Sequence, residues 1–317
     1  PEAVQRMFVW NRAETKHFLV STADGLFVLD QMAGEWKRLY TFSPANSEKR
    51  CDFQVLKIAN TEYLVAASGG CQMAKWDGVS TTAEAFGSAE GLSNLPVNFS
   101  ELYYSRLFAA GDADNPGRLY YSQAPGDTRT LENWASAAES ENAGGGHVEI
   151  GADSDPITGL FALSNQLLIF KRDSLYRLLG DRPGNYRILP VSGSVQLPSH
   201  TACARSGDVV YFMTEVGMYY FDGQNVCRKA DAEKVAGFLS GVDLSACDAA
   251  ACRDKLYFAV SEHANSGAND AVLVYDLSRG AYMVRRGFLA RGLCASGKTL
   301  HLVDGGGYVC RFEDGEA

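Results

Sequence analysis

A β-propeller of about seven four-stranded blades is the fold this sequence predicts, and two observations carry it. An apolar β run recurs along the chain, with its second or third residue at Leu19, Leu64, Leu107, Leu168, Val210, Leu256 and Leu300. The successive spacings are 45, 43, 61, 42, 46 and 44 residues. Apart from the one long interval they agree with a propeller blade and are too long for leucine-rich or ankyrin units. A second β run follows each first run after a few turn residues, so every repeat contains a hairpin.

Taken in chain order, the second runs are Gly25–Leu29, Gln72–Trp76, Arg118–Tyr121, Ser174–Leu178, Gly217–Phe221, Ala271–Tyr275 and Gly307–Phe312. Asp24-Gly25, Gly69-Gly70 and Asp304-Gly305 supply turns between the two runs. Several second runs then end in an aromatic followed by Asp-Gly, as in Trp76-Asp77-Gly78 and Phe221-Asp222-Gly223, with Tyr275-Asp276 and Leu29-Asp30 as weaker copies. A weak inner strand such as Ala202–Ala204 precedes the pair and a more polar outer strand such as Trp36–Tyr40 follows it, which makes each repeat a four-stranded meander. A lone hairpin is marginal in water, so stacking of blades is what buries the apolar faces.

Two places depart from the repeat. Asp231–Ser240 places Val235, Phe238 and Leu239 at helical spacing behind Asp231 as a candidate cap, which predicts one short helix. The 61-residue interval holds an insertion of about residues 123–150, in which Gly144-Gly145-Gly146 and a Ser/Glu/Asn-rich composition predict an exposed loop. Leu131, Trp134 and Ile150 are apolar anchors in it and form the candidate interface. In repeat seven only three strands are legible, so either residues near Val4–Trp10 pair there or a fourth strand lies beyond this sequence. We read residues 1–317 as a single propeller domain and, because the sequence opens at Pro1 rather than Met, as a piece of a longer or processed chain.

Composition narrows the function classes. Hydrophobic residues make up 46% and charged ones 21%, enough to bury a large core and to exclude global disorder. A net charge of −9 argues against general nucleic-acid binding, which needs Lys and Arg to displace counterions. Lys171-Arg172 and Arg285-Arg286 are the densest basic pairs. No apolar run approaches the ~20 residues that span a bilayer. The eight cysteines form no CxxC pair and read as reduced structural thiols, with Cys247 and Cys252 the pair to check first.

Motifs with chemistry are sparse. Ser21–Gly25 lacks the spacing and the Trp of a sialidase-type Asp box and reads as a turn. Glu149, Asp153 and Asp155 cluster beside the insertion and are candidates for the paired carboxylates of a glycosidase. Asp112 and Asp114 resemble half of a calcium loop without its bidentate Glu. His17, His147, His200, His263 and His301 share no metal-ligand spacing. Ser192-Gly193-Ser194 could offer amides to an anion but has no Lys or Arg beside it. The sequence therefore predicts no enzyme, no cofactor and no metal.

Residues of about 105–225 resemble a known family. Arg106–Gly111, Asn115–Ser122, Asp155–Leu160, Leu167–Lys171, Ser174–Tyr176, Gly193–Val195, Val209–Phe212 and Gly217–Gly223 are similar to a pattern common in tailed-bacteriophage virion proteins. That resemblance implies a propeller domain of a neck, nozzle or tail component, acting as a structural ring or adaptor. It implies binding to other virion proteins and to copies of itself, with no membrane and no sequence-specific nucleic-acid contact. The expected location is the virion, assembled in the bacterial host cytoplasm. The alternative is a glycan-recognising propeller module in receptor binding, with Trp134 or Trp76 as the sugar platform.

Overall fold

The computed structural model describes residues 4–312 apart from 44, 46–49, 88–94, 128, 138, 139, 141, 193–195, 230, 264–268 and 305. The fold is an all-β propeller, and each expected repeat is an antiparallel meander. The first comprises β1 (Arg6–Arg12), β2 (Thr15–Ser21), β3 (Gly25–Asp30) and β4 (Glu35–Thr41). The second comprises β5 (Asp52–Ile58), β6 (Thr61–Ala67), β7 (Ala74–Trp76) and β8 (Glu84–Ala85). The third is β9 (Phe99–Tyr103), β10 (Arg106–Ala110), β11 (Arg118–Tyr121) and β12 (Gly146–Glu149). The fourth is β13 (Ile157–Leu163), β14 (Gln166–Lys171), β15 (Leu175–Leu179) and β16 (Arg187–Ser192). The fifth is β17 (Cys203–Ser206), β18 (Val209–Thr214), β19 (Gly217–Phe221) and β20 (Val226–Arg228).

Repeats six and seven are fused, so among the described residues the strands form six sheets where the spacing predicts about seven. One six-stranded sheet contains β21 (Asp243–Cys252), β22 (Lys255–Ser261), β23 (Asn269–Asp276), β24 (Ala281–Ser296), β25 (Thr299–Asp304) and β26 (Val309–Phe312). The cause is the 16-residue β24. Its first half pairs with β23 (Tyr275↔Tyr282) as the outer strand of repeat six, and its second half pairs with β25 (Cys294↔His301) as the first strand of repeat seven. Both junctions carry a register shift, which lets one strand bend between two repeats. The segment near Val4–Trp10 does not supply a fourth strand there. It forms β1, pairs with β2, and lies against β24, where the Val9 N–H reaches Cys294 Sγ at 3.3 Å and Asn11 Nδ2 donates to Ser296 Oγ at 2.9 Å.

By compactness the chain divides into two units, Ala23–Gln196 and the combination of Pro1–Thr22 with Leu197–Ala317. In the first, Leu107, Val65, Met73 and Val97 belong to one core cluster and Phe108, Leu167, Ile169 and Leu178 to the next. In the second, Tyr257, Val272, Val274, Leu293 and Leu300 pack repeats six and seven together.

The aspartates that close the third strands share one task. The carboxylates of Asp30, Asp77, Asp222 and Asp276 each accept two main-chain N–H groups of the turn that follows, at 2.8–3.1 Å. This side-chain-to-backbone turn is the reason for the recurrent Asp. The expected helix is α1 (Glu233–Leu239), with Val235 and Leu239 buried. Asp231 is not its cap: Ala232 occupies that position, and Asp231 instead accepts the Tyr275 hydroxyl at 2.8 Å.

Candidate functional site

The insertion separates β11 from β12, and its last four expected residues are largely β12 itself. It is anchored from below by Arg106, whose side chain is 1% exposed. Nη1 donates to the carbonyls of Ser122 (2.5 Å) and Gly144 (2.6 Å), and Nη2 to that of Asn142. The guanidinium also faces the Tyr121 ring at 5.7 Å. Burial pulls its pKa down, but three oriented carbonyls stabilise the cation.

Gly144 and Gly145 are buried rather than exposed. A Cβ on Gly145 would stand 2.6 Å from the Trp134 carbonyl carbon, and one on Gly144 would stand 2.5 Å from the Ala137 nitrogen. The glycine run is thus a close backbone packing. Leu131 (4% exposed) and Trp134 (8%) turn inward and join Leu56, Val65, Met73 and Phe86 between repeats two and three. Ile150 is fully buried against Phe99, Phe108 and Ile157. The three residues of the candidate interface are therefore used inside this chain. The glycan platform meets the same fate: Trp134 is covered, and buried Trp76 donates its indole N–H to the Ser80 carbonyl at 2.7 Å.

A second anchor was not read from the sequence. Glu132 of the insertion pairs with Lys75 of β7 at 2.8 Å and accepts the Gly87 N–H at 2.7 Å, and both side chains of the ion pair are nearly covered. Burial lowers the Lys75 pKa, but Glu132 and Glu84 outweigh it and leave the ammonium raised.

The carboxylates proposed for chemistry hold turns and cations. Glu149 pairs with Arg118 at 2.7 Å, and Asp155 accepts the Asp173 N–H (2.8 Å) and the Ser174 hydroxyl (2.5 Å). Asp153 is exposed. Asp112 accepts the Asp114 N–H, the Asn115 amide and the Tyr120 hydroxyl at 3.0, 2.8 and 2.6 Å. Burial raises the Asp112 pKa, but these donors prevail and hold it below the usual carboxylate value. Among the described residues no group of three or more His, Cys, Asp or Glu side chains is placed to hold a metal. His301 is buried beside Phe18, and His263 pairs with Asp270. All eight cysteines are thiols outside any disulfide, and burial pushes the Cys203 thiol pKa up. Gly193 and Ser194 of the candidate anion turn lie outside the described residues.

The basic pairs resolve differently from one another. Lys171 is fully buried, bonded to the Ile150 and Ala152 carbonyls, and Arg172 is held by Asp173 and the Ser154 carbonyl. Arg286 is held by both carboxylate oxygens of Glu262. Arg285 lines a cleft of about 470 Å³ at the junction of repeats six and seven. Arg253 and Asp254 form the β21–β22 turn at its rim, Lys298 comes from the β24–β25 turn, and Lys255 opens β22. Arg253 sits in left-handed backbone, φ +55°, and its Nε donates to the Lys298 carbonyl at 3.0 Å, tying the two turns together. Tyr257, Leu300 and Phe312 form an apolar floor, with the Tyr257 and Phe312 rings edge-to-face at 6.0 Å. Four cations and one carboxylate converge there, in a chain whose net charge is −9. The size is within the range of ligand sites, and the lining sets positive charge beside apolar surface. Only Arg285 of this set was singled out in the sequence; the other three cations meet through the pairing of two turns about 45 residues apart.

No protein-family model matches the chain, and no curated protein sequence matches it. In fold it is similar to a catalytically inactive variant of virginiamycin B lyase from Staphylococcus aureus, crystallised with quinupristin, at a TM-score of 0.59 and 7% identity over 97% of this chain and 94% of that one. That likeness confirms the propeller fold. It also overturns the expectation that the chain is no enzyme, because a propeller of matching extent carries a lyase.

Proposed function

We propose that the chain is a structural component of a tailed-phage virion, a neck or tail propeller that binds copies of itself and neighbouring virion proteins. The reading begins from the family resemblance over about residues 105–225. The observation that carries it is where those residues lie. Leu107, Phe108, Leu119, Leu167, Leu168, Ile169, Phe212 and Phe221 are all fully buried, and Arg106 and Lys171 are locked onto main-chain carbonyls. The shared pattern is thus a set of instructions for a stiff body, with a folded-in insertion and its surface turns left for contacts. Large apolar side chains on that surface, Met32, Val79 and Tyr104 in one unit and Val216 and Tyr308 in the other, sit at hairpin turns where a neighbouring subunit could cover them. Location follows from the reading: the virion, assembled in the host cytoplasm. The test is to purify intact particles from the producing bacterium, identify the chain by mass spectrometry, and place it by cryo-electron microscopy. Its presence as a ring at the neck or tail is the expected outcome. Its absence from intact particles would overturn the reading.

A further inference from the structure

We propose that the outer edge of β26 is a strand-acceptor site, which takes an extended segment of another protein as the fourth strand of repeat seven. The inference stands apart from the virion reading. In repeats one to six the third strand has a fourth beside it: β3 with β4, β7 with β8, β11 with β12, β15 with β16, β19 with β20 and β23 with β24. In repeat seven the third strand is β26, and among the described residues no strand pairs with its outer edge. An open edge presents a row of N–H and C=O groups that an extended peptide can meet.

Hairpin register aligns the repeats and shows what a fourth strand covers. Leu300 pairs with Phe312 as Leu256 does with Tyr275, Val210 with Phe221 and Leu64 with Trp76. Tyr275, Phe221 and Trp76 are at most 4% exposed, whereas Phe312 is only partly covered. Cys310 and Arg311 are exposed, while their counterparts Leu273 and Val274 in repeat six, and Ala74 and Lys75 in repeat two, are buried. Those counterparts lie beside β24 and β8, which pair with them residue by residue.

The same repeats define the chemistry of the occupant. Opposite Tyr275 stands Tyr282, with the two rings 4.6 Å apart. A bulky side chain opposite Phe312 lies on the same sheet face as Phe312 and enters the cleft that Phe312 lines with Tyr257 and Leu300. Opposite Lys75 stands Glu84, an ion pair at 3.3 Å. A carboxylate opposite Arg311 repeats that charge match. The partner strand is therefore antiparallel to β26 and carries a bulky apolar or aromatic residue followed by an acidic one. The described strands of a second copy are all used in their own sheets, so the donor is an extended segment of a different protein.

Cys310 reports occupancy, because it is exposed while the other seven cysteines are buried or half-buried. The experiment follows alkylation of Cys310 by N-ethylmaleimide in the purified chain, by mass spectrometry, alone and with a synthetic peptide. The peptide has the sequence of residues 280–286 with Met283→Glu, which sets Tyr282 opposite Phe312 and a carboxylate opposite Arg311. Cys310 should react readily in the chain alone, and saturating peptide should slow it about tenfold or more. Peptides with Met283→Lys or Tyr282→Ser should protect less. In the chain variant Arg311→Glu the preference between the acidic and basic peptides should reverse, which a folding defect would not produce. Absence of protection at millimolar peptide overturns the acceptor site, and equal protection by all three peptides overturns its chemistry. Slow alkylation of the monomeric chain alone would show that the chain covers its own edge. Protection that rises with chain concentration, with a dimer in sedimentation velocity, would assign the edge to a second copy. Either result overturns the choice of occupant.

Discussion

Replacing Arg106 by Met tests whether the insertion is held as a folded part of the third repeat. The substitution keeps much of the apolar stem and removes the guanidinium, leaving the carbonyls of Ser122, Gly144 and Asn142 without their donor. An unmet buried acceptor costs about 1–3 kcal/mol. With some water returning to Asn142, which is exposed, the low end applies there. The expected loss is therefore about 3–5 kcal/mol in the unit Ala23–Gln196. Urea unfolding gives the magnitude. Hydrogen exchange gives the location: the amides of Gln123 and Gly145, bonded to Asn133 and Ala135, should lose protection well before those of β10. Arg106→Lys should recover only part of the loss, because one ammonium cannot reproduce a fork aimed at three carbonyls. A loss below about 0.5 kcal/mol, with unchanged protection at Gln123 and Gly145, would refute the staple.

Three further outcomes follow from the same geometry. Trp134→Ala should cost about 3–5 kcal/mol in urea unfolding, since the ring fills the core between repeats two and three; a near-neutral result would place it on the surface as the sequence suggested. Phe221→Ala should cost about 3–5 kcal/mol and Tyr220→Ala clearly less, because Phe221 is fully buried while Tyr220 is only partly covered; equal losses would show that the β19 register is wrong. Asp222 has a folded pKa lowered first by the Asn225 N–H and then by the Gln224 N–H, so its stabilisation is complete above the unfolded carboxylate pKa of about 4 and is lost as pH falls through the lower folded value. The stability gap between wild type and Asp222→Ala should accordingly shrink in acid, and urea midpoints at pH 7 and pH 3 check it.

The strands were legible because each repeat restates the same pattern, and that redundancy absorbs local errors. Leu19, Leu64, Leu107, Leu168, Val210, Leu256 and Leu300 all fall on the second strand of their repeats, as the spacing requires. What misled was isolated and had no repeat to check it. Gly144-Gly145-Gly146 has the composition of an open loop, but the same glycines are needed where backbone meets backbone, and only the partner, Trp134 for Gly145, distinguishes the two. Asp231 looked like a cap because capping is local, whereas its partner Tyr275 lies 44 residues away. Fusion of repeats six and seven was invisible for a similar reason: Gly287, at φ +97°, and Gly292 mark the handover within β24, and a glycine reads from sequence as the end of a strand as readily as a bend inside one, which only the pairing decides. The basic cleft needed two turns brought side by side, and only Arg285 stood in a charge pair that the sequence made conspicuous.

Propeller geometry explains why the informative residues divide as they do. Central strands are consumed by face-to-face packing, so their pattern reports the fold and carries little about what the molecule does. The likeness to a lyase at 7% identity makes the same point from outside, since the shared framework leaves the chemistry to whatever side chains the turns present. In this chain the turns at the junction of repeats six and seven present four cations and one carboxylate beside Tyr257, Leu300 and Phe312. Exposed charges on flexible stems add little to stability, so folding alone gives weak reason to gather them at one place.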